Sequence, residues 1–424
     1  MGMPKQTVYE LRMYDTVLSE CTISKDAFGA IAVAGFEIDA NNKQLLPLNI
    51  IDKTDESEFM RWLESRRIPR GRSYLEEILK PFNVSADDTE AIINISKGVS
   101  LNDAYSVVPK GSKERWEDYN LYDNEFDEVL QLIAYTGNHV NREVGGGLPS
   151  ELSVSGSFPK AWREVDGKKV LYKAGFWLQA ANIGLEPYAE YFAAGIAEKM
   201  GLKHVTYTLE RWQGKVCTTC ELFNTKDLSF VPIGLCVSDE NLKKLSVAST
   251  LGMLSQISDD AVEEFRSMLV FDALIANSDR HTGNYGLLRE NDTGLVVGLS
   301  PIFDNNLSLF TGEATKDLEN EEFLQGRLNY YRGALNMTLD NQARYLIGDK
   351  QKDQLALLPS TIIKAPKGDV GDSRFSSARA KALNNYLSDR AQKLHSLPSV
   401  ESSKLHDNME TTMRIPVKNL QPKA

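Results

Sequence analysis

Residues 275–286 read IANSDRHTGNYG, placing an aspartate, an arginine, a histidine and two asparagines in one short segment between apolar runs. A surface turn needs one or two polar residues with a glycine or proline. The surplus points to a site. Asp279 and Asn284 are separated by four residues. A carboxylate can take a proton from an attacking hydroxyl, and a neutral amide oxygen close by can hold a divalent ion. Phosphoryl transfer from a nucleotide needs both at one point, because its catalysis is mostly positioning and charge neutralisation. His281 is then expected beside the phosphates as a donor, with a structural loop histidine as the plain alternative. Arg280 is expected to turn away and pair with an acid or a backbone carbonyl.

The same chemistry demands three further parts. The first is a small-residue turn whose backbone N–H groups can approach phosphates; SVSGSFPK supplies Ser153, Val154, Ser155, Gly156 and Ser157 between two strand-like runs. The second is a strand lysine fixed by a helix carboxylate, for which Lys173 in VLYKAG and Glu190 in EPYAEYFAAG are the candidates, 17 residues apart. The third is a carboxylate that enters the cleft from a strand pair to bind magnesium. Asp304, after the apolar Phe303, follows Asn284 by 20 residues, with an apparent hairpin over 286–299 between them. Each part has an ordinary reading: a Ser/Gly hairpin, a strand-end lysine, a helix-surface charge, a turn acid. Their succession in one order carries the argument, and the Asp-x-x-x-x-Asn gap is the one that kinase catalytic loops use.

The elements that must position these groups follow from periodicity. Residues 1 to about 140 read as mixed and mostly helical after an opening strand, with helices in DESEFMRWLESRRIPRG and in NEFDEVLQLIAYTG, the latter stopped by Gly137. KGVSLNDAYSVVP reads as a loop entering a short strand, and this region carries no nameable chemistry. Beyond the glycine- and serine-rich stretch 141–162, KKVLYKAGFW reads as a strand and EPYAEYFAAGIAEKMG as a helix ending at Gly201. HVTYTLERWQGKVCTTCELF reads as a hairpin turning at Gln213–Gly214. Helices are expected over 240–255, 259–276 and from Asp372 to about Leu394, with a polar tail after Ser399. The expected class is α+β, a bilobal fold. A nucleotide-binding β-rich lobe (141–225) precedes a helical lobe (226–398), with an N-terminal region (1–140) before them and the tail (399–424) after.

Composition bounds these readings. In 424 residues, 42% hydrophobic and 25% charged are globular values. With 48 Lys plus Arg against 59 Asp plus Glu, the net charge of −11 argues against coating nucleic acid or anionic membrane. The N-terminus lacks a signal-peptide layout and AFGAIAVAGF is too short to span a bilayer, so a cytoplasmic protein is expected. Four cysteines, two of them in CTTC at 217–220, are expected to be strand thiols facing inward, with no metal.

ANSDRHTGNYGLL with PIFDNNLSL closely resembles the HipA-like serine/threonine kinases, bacterial proteins often found as toxin components. LSVSGSFPK, YKAG, EPYAEYFAAGIAEKMGL and CELF resemble that family's phosphate loop, strand lysine, helix acid and hinge, so the resemblance spans about 140–395. It implies a protein-kinase-like fold, ATP and Mg²⁺ as cofactors, and Asp279 as catalytic base. It further implies Asn284 and Asp304 as magnesium ligands, Lys173 on the phosphates, and Glu221 and Phe223 where the hinge backbone meets adenine. It also implies autophosphorylation of a loop serine, Ser153 by alignment, with Ser155 and Ser157 equally reachable. Residues 1–140 do not resemble the lobe on which an antitoxin docks, so an antitoxin-like or other regulatory protein partner stays open beside an unidentified protein substrate. Three rivals are weighed. A catalytically silent nucleotide-binding module would not need Asp279. A lipid kinase shares the Asp-Arg-His order but would need a polybasic patch. A direct nucleic-acid binder would need a reading helix, for which RSYLEEILKPF is too acidic.

Overall fold

The computed structural model describes residues 6–25, 31–138, 143–176, 184–401 and 413–417. It is an α+β protein built on three antiparallel sheets. The first comprises β1 (Gln6–Met13), β2 (Thr16–Lys25), β3 (Ile31–Ile38) and β4 (Tyr105–Pro109) in the order β3-β2-β1-β4. A four-stranded sheet thus occupies a region expected to be mostly helical. Its strands escape the period-two pattern because β1 buries Glu10 and Arg12 as well as Tyr9, Leu11 and Met13. The Arg12 guanidinium holds Glu10 at 2.9 Å, so the charged pair is tolerated inside. Two helices expected there do form. Glu56–Glu64 is capped by Asp55, and Glu128–Thr136 stops at Gly137, whose φ of 76° is the left-handed conformation favoured by glycine.

The second sheet holds β5 (Lys160–Val165), β6 (Lys168–Ala174), β7 (Thr208–Trp212) and β8 (Lys215–Glu221), ordered β5-β6-β8-β7. Gln213 and Gly214 both have positive φ, the two-residue turn that matches strand twist, as expected from the sequence. The helix Glu186–Lys199 runs between β6 and β7 and packs on β8. CTTC lies in β8, but its two thiols are three residues apart and so face opposite sides. Cys217 is buried with Tyr135 and Tyr172, whereas Cys220 borders the cavity described below. The expectation that both point inward is therefore corrected.

The third sheet is β9 (Leu228–Pro232), β10 (Gly286–Glu290) and β11 (Val296–Leu299), with β10 central and the β10–β11 hairpin as anticipated. Helices pack beneath it. The central one, Asp259–Ile275, is capped by Ser258 and is buried along most of its length against Leu339–Leu346 and Ser377–His395. The helix expected over 240–255 is two, Asp239–Leu242 and Val247–Leu254, because Ser246 accepts the Ser249 N–H at 3.0 Å and starts a new helix. Glu321–Tyr330, Leu339–Leu346 and Asp349–Ala356 are helices that the sequence reading left unassigned.

The N-terminal region is bolted to the helical part. Arg61 donates to the carbonyls of Gly234 and Val237, and Glu58 Oε1 accepts the Asp239 N–H at 2.7 Å. From the other side, buried Arg289 of β10 donates to the carbonyls of Leu46 and Gln44 and to the Tyr105 hydroxyl. Among the described residues no helix is long and apolar enough to cross a membrane.

Candidate active site

The central helix ends at Ala276 in the left-handed conformation and delivers the chain directly into the polar loop. Two anchors set that loop. The Asp279 N–H donates to Asn277 Oδ1 at 3.1 Å, and the Asn284 amide nitrogen donates to the Asp279 carbonyl at 2.9 Å. The Asn284 side chain thereby commits its donor and keeps its oxygen as acceptor. Gly283 N–H donates to His281 Nδ1 at 3.0 Å. That bond puts the lone pair on Nδ1 and the proton of the neutral ring on Nε2, which fits the expected donor role.

Arg280 turns away from the cavity, as expected, and does more than pair with one acid. With both side chains fully buried, it grips Asp272 through Nε and Nη2 at 2.9 Å each. Its Nη1 donates to the carbonyls of Asn284 and Phe303 at 2.7 Å, and Nη2 reaches Asn305 Oδ1. One guanidinium thus ties the backbone of Asn284 to that of the residue preceding Asp304. The five-donor fork suits this; a lysine would not span it.

Asp304 sits at φ 55°, in the left-handed region that aspartate enters more readily than most residues. Its N–H donates to the buried Tyr207 hydroxyl at 3.3 Å, and its carboxylate is in contact with Lys173. Lys173, on β6, also donates to Glu190 Oε2 at 3.0 Å, while Glu190 Oε1 accepts the Asn305 N–H at 3.0 Å. Burial alone would lower the Lys173 pKa, but the carboxylates of Asp304 and Glu190 raise it above the ordinary lysine value. Burial likewise pushes Asp304 up, and Lys173 and Lys160 outweigh it, holding the carboxyl below its usual range. Asp279 moves the other way: burial raises its pKa, against the pull of His281 and with the push of Asp304.

These groups border one cavity of about 700 Å³. Ser153, Val154, Ser155, Gly156 and Ser157 line it from above, Lys173 and the hinge candidates Glu221 and Phe223 from the side, and Asp279, His281, Asn284, Phe303 and Asp304 from below. Glu190 is the exception. It is fully buried behind Lys173 and orients the lysine without bordering the space. The Glu221 carboxylate is engaged by the exposed Lys168 at 2.7 Å. Phe223, Phe230 and Phe303 form an apolar wall with ring centroids 5.3–5.4 Å apart.

The phosphate-loop candidate departs from expectation on one flank, where a 3-10 helix, Ser150–Ser153, precedes it instead of a strand. Sequence reasoning also missed Lys160, which pairs directly opposite Lys173 across β5 and β6, is buried, and donates to the Ser155 carbonyl at 2.6 Å. Its presence in SFPK was visible; its facing Lys173 depended on strand register. The larger omission is the N-terminal region. Trp62, Arg66, Asn102, Asp103 and Tyr105 close one end of the same cavity. Arg66 is clamped to Asp103 at 3.0 and 2.6 Å and lies 4.2 Å over the Trp62 ring.

Residues 152–355 match the family model described as HipA-like C-terminal domain. That segment carries the likeness to the HipA-like family. The chain is 28% identical over 172 residues to the serine/threonine-protein kinase CtkA of Helicobacter pylori, an alignment covering 37% of this chain and 53% of that protein. The chain thus spans about half the length of this curated relative. The crystal structure of the Helicobacter pylori proinflammatory kinase CtkA aligns with 57% of this chain and 91% of its own, at 20% identity and a TM-score of 0.45. A chain of the Shewanella oneidensis HipA, HipB and operator DNA complex shares the fold at 16% identity and a TM-score of 0.51, over 94% of this chain and 99% of its own. Coverage of that extent includes the N-terminal region. The family match in sequence begins at residue 152, whereas the likeness in fold extends over the N-terminal region as well.

Proposed function

We propose that this protein transfers the γ-phosphate of ATP to a serine or threonine hydroxyl of a protein, in a cleft between a β-rich lobe and a helical lobe. The observation that carries the reading is the convergence of Lys173, Asp279, Asn284 and Asp304 on one cavity under a small-residue loop. The serine/threonine kinase name of the Helicobacter relative supports it.

In this reading Lys173, kept charged by Glu190, holds the phosphate oxygens, and His281 donates to them from Nε2. Asp279 accepts the proton of the attacking hydroxyl, which its raised pKa suits. The backbone at Glu221 and Phe223 meets the adenine edge, and the phenylalanine wall covers its face. The Asp304 carboxylate and the Asn284 amide oxygen are hard oxygen donors of the kind Mg²⁺ takes, and they would hold it with phosphate oxygens completing its shell. When bound, that ion neutralises charge on the transferring group.

Self-modification of the loop belongs to the same proposal. Ser155 and Ser157 are exposed, whereas the Ser153 hydroxyl is engaged with the Ser150 carbonyl at 3.2 Å. A regulatory protein partner of the antitoxin kind is proposed as well, in line with the HipB named in the Shewanella complex. Incubation of the full chain with labelled ATP and Mg²⁺, followed by mass spectrometry of the 150–160 peptide, tests activity and self-modification together. Absence of both nucleotide binding and label transfer to any Ser/Thr acceptor would end this reading.

A further inference from the structure

The phosphate loop is held from outside its own domain. Residues 69–73 of the N-terminal region form a turn, closed by Arg72 N–H donating to Pro69 at 3.0 Å, that lies along the loop. Ser73 donates to the Ser157 carbonyl twice, from its backbone at 2.8 Å and from its hydroxyl at 2.7 Å. Buried Arg72 donates to the carbonyls of Phe158 and of Lys160, the latter at 2.6 Å, and pairs with fully buried Glu151 at 3.3 Å. Glu151 in turn accepts the Trp162 N–H at 3.0 Å. Beneath the loop, Lys160 holds the Ser155 carbonyl and lies so close to Gly156 that a Cβ there would meet its ammonium at 2.4 Å.

A trans peptide points its C=O and the following N–H in opposite directions. Drawing the Ser157 carbonyl toward Ser73 therefore turns the N–H of Phe158 the other way. That N–H has no protein acceptor among the described residues, and Phe158 lines the cavity. From this we propose that the Gly71–Ser73 turn is a latch that presets the phosphate loop for nucleotide, with Arg72 and Ser73 as positioning residues supplied by the N-terminal region. The proposal rests on the nucleotide-binding reading above, but the latch itself is a statement about the loop.

The loop is a segment without backbone bonds to a strand or helix over 154–158, so its order depends on these tethers. An arginine is required where two carbonyls and a carboxylate must be met from one buried point. The inference also assigns a task to a region whose sequence shows no catalytic motif.

The test compares the full-length wild type with Arg72→Lys, Arg72→Met and Ser73→Ala. Hydrogen–deuterium exchange of peptides covering 153–160 is read against those covering 215–221 in β8, without nucleotide. The latch predicts faster exchange confined to the loop, and an ATP KM raised on the order of tenfold with kcat changed far less, because preset binding geometry is lost. Arg72→Lys should fail to restore either readout. Uniform exchange across both peptides, or an unchanged loop in Ser73→Ala and Arg72→Lys, overturns the proposal. Ser73→Ala removes only a hydroxyl and keeps the question answerable if Arg72→Met does not fold. Loop loosening in a protein that binds no nucleotide even as wild type would leave the latch standing and sink the kinase reading instead.

Discussion

Lys160 and Lys173 face each other across β5 and β6, two buried ammonium groups on one side of a sheet, and of the two it is Lys173 that touches carboxylates. The difference shows in their protonation. Burial, with the charges of Arg72 and Lys173, pulls Lys160 down to about 7. A polyanion placed between the two lysines would favour the charged form of Lys160 and raise its pKa.

Nucleotide affinity should therefore be strongest below pH 7 and weaken as pH climbs above it, by at most about tenfold per unit, until the bound-state pKa is passed. Titration calorimetry with ATP across that range checks it, and Lys160→Met should flatten the profile. A flat wild-type profile would refute the role. The same group acts on stability with a fixed sign: between pH 7 and the ordinary lysine range the unfolded chain binds more protons, so its contribution to stability rises with pH there.

Asp279→Asn should lower turnover by roughly 10²- to 10⁴-fold while nucleotide still binds, since only proton acceptance is removed. Burial raises the wild-type carboxyl, and the base must be ionised to work. The rate should therefore increase with pH through a midpoint above the usual carboxylate range. Single-turnover label transfer measured against pH decides both; full activity in the asparagine variant would exclude Asp279 as base.

Asp304→Asn should remove the part of ATP affinity that depends on magnesium, and it should also leave Lys173 with Glu190 as its remaining carboxylate contact. Binding measured with and without Mg²⁺ gives the outcome. If the variant gains as much from the ion as the wild type does, the ligand role is wrong.

Asp272→Ala should destabilise the fold by about 3–5 kcal/mol, because it strands a fully buried guanidinium. The loss should appear in chemical denaturation as an earlier midpoint. Since Arg280 also carries the carbonyls of Asn284 and Phe303, any folded fraction should lose turnover as well. A variant of wild-type stability would show that Arg280 is satisfied some other way.

Much of the cavity was legible because its parts are short and local. The Asp279–Asn284 gap, the small-residue loop and the QG turn each lie within a few residues, and the helix around Glu190 is set by local periodicity. What escaped notice depended on long-range register or on buried charge. Lys160 gains meaning only when β5 is paired with β6. The first sheet was obscured because Glu10 and Arg12 are inside, which erases the alternation that identifies a half-buried strand. Arg72 and Arg66 sit in RRIPRGRS, a stretch that reads as solvated charge, yet both are buried against groups 37 to 88 positions away.

Arg289 sets a limit on how this protein can be divided. Of the acceptors around its guanidinium, Gly294 lies within residues 152–355, whereas Gln44, Leu46 and Tyr105 lie outside. Excision at the borders of the matched domain would uncover this guanidinium and leave it one of its four protein acceptors. The stretch matched by the family model is thus smaller than the unit that this one guanidinium ties together.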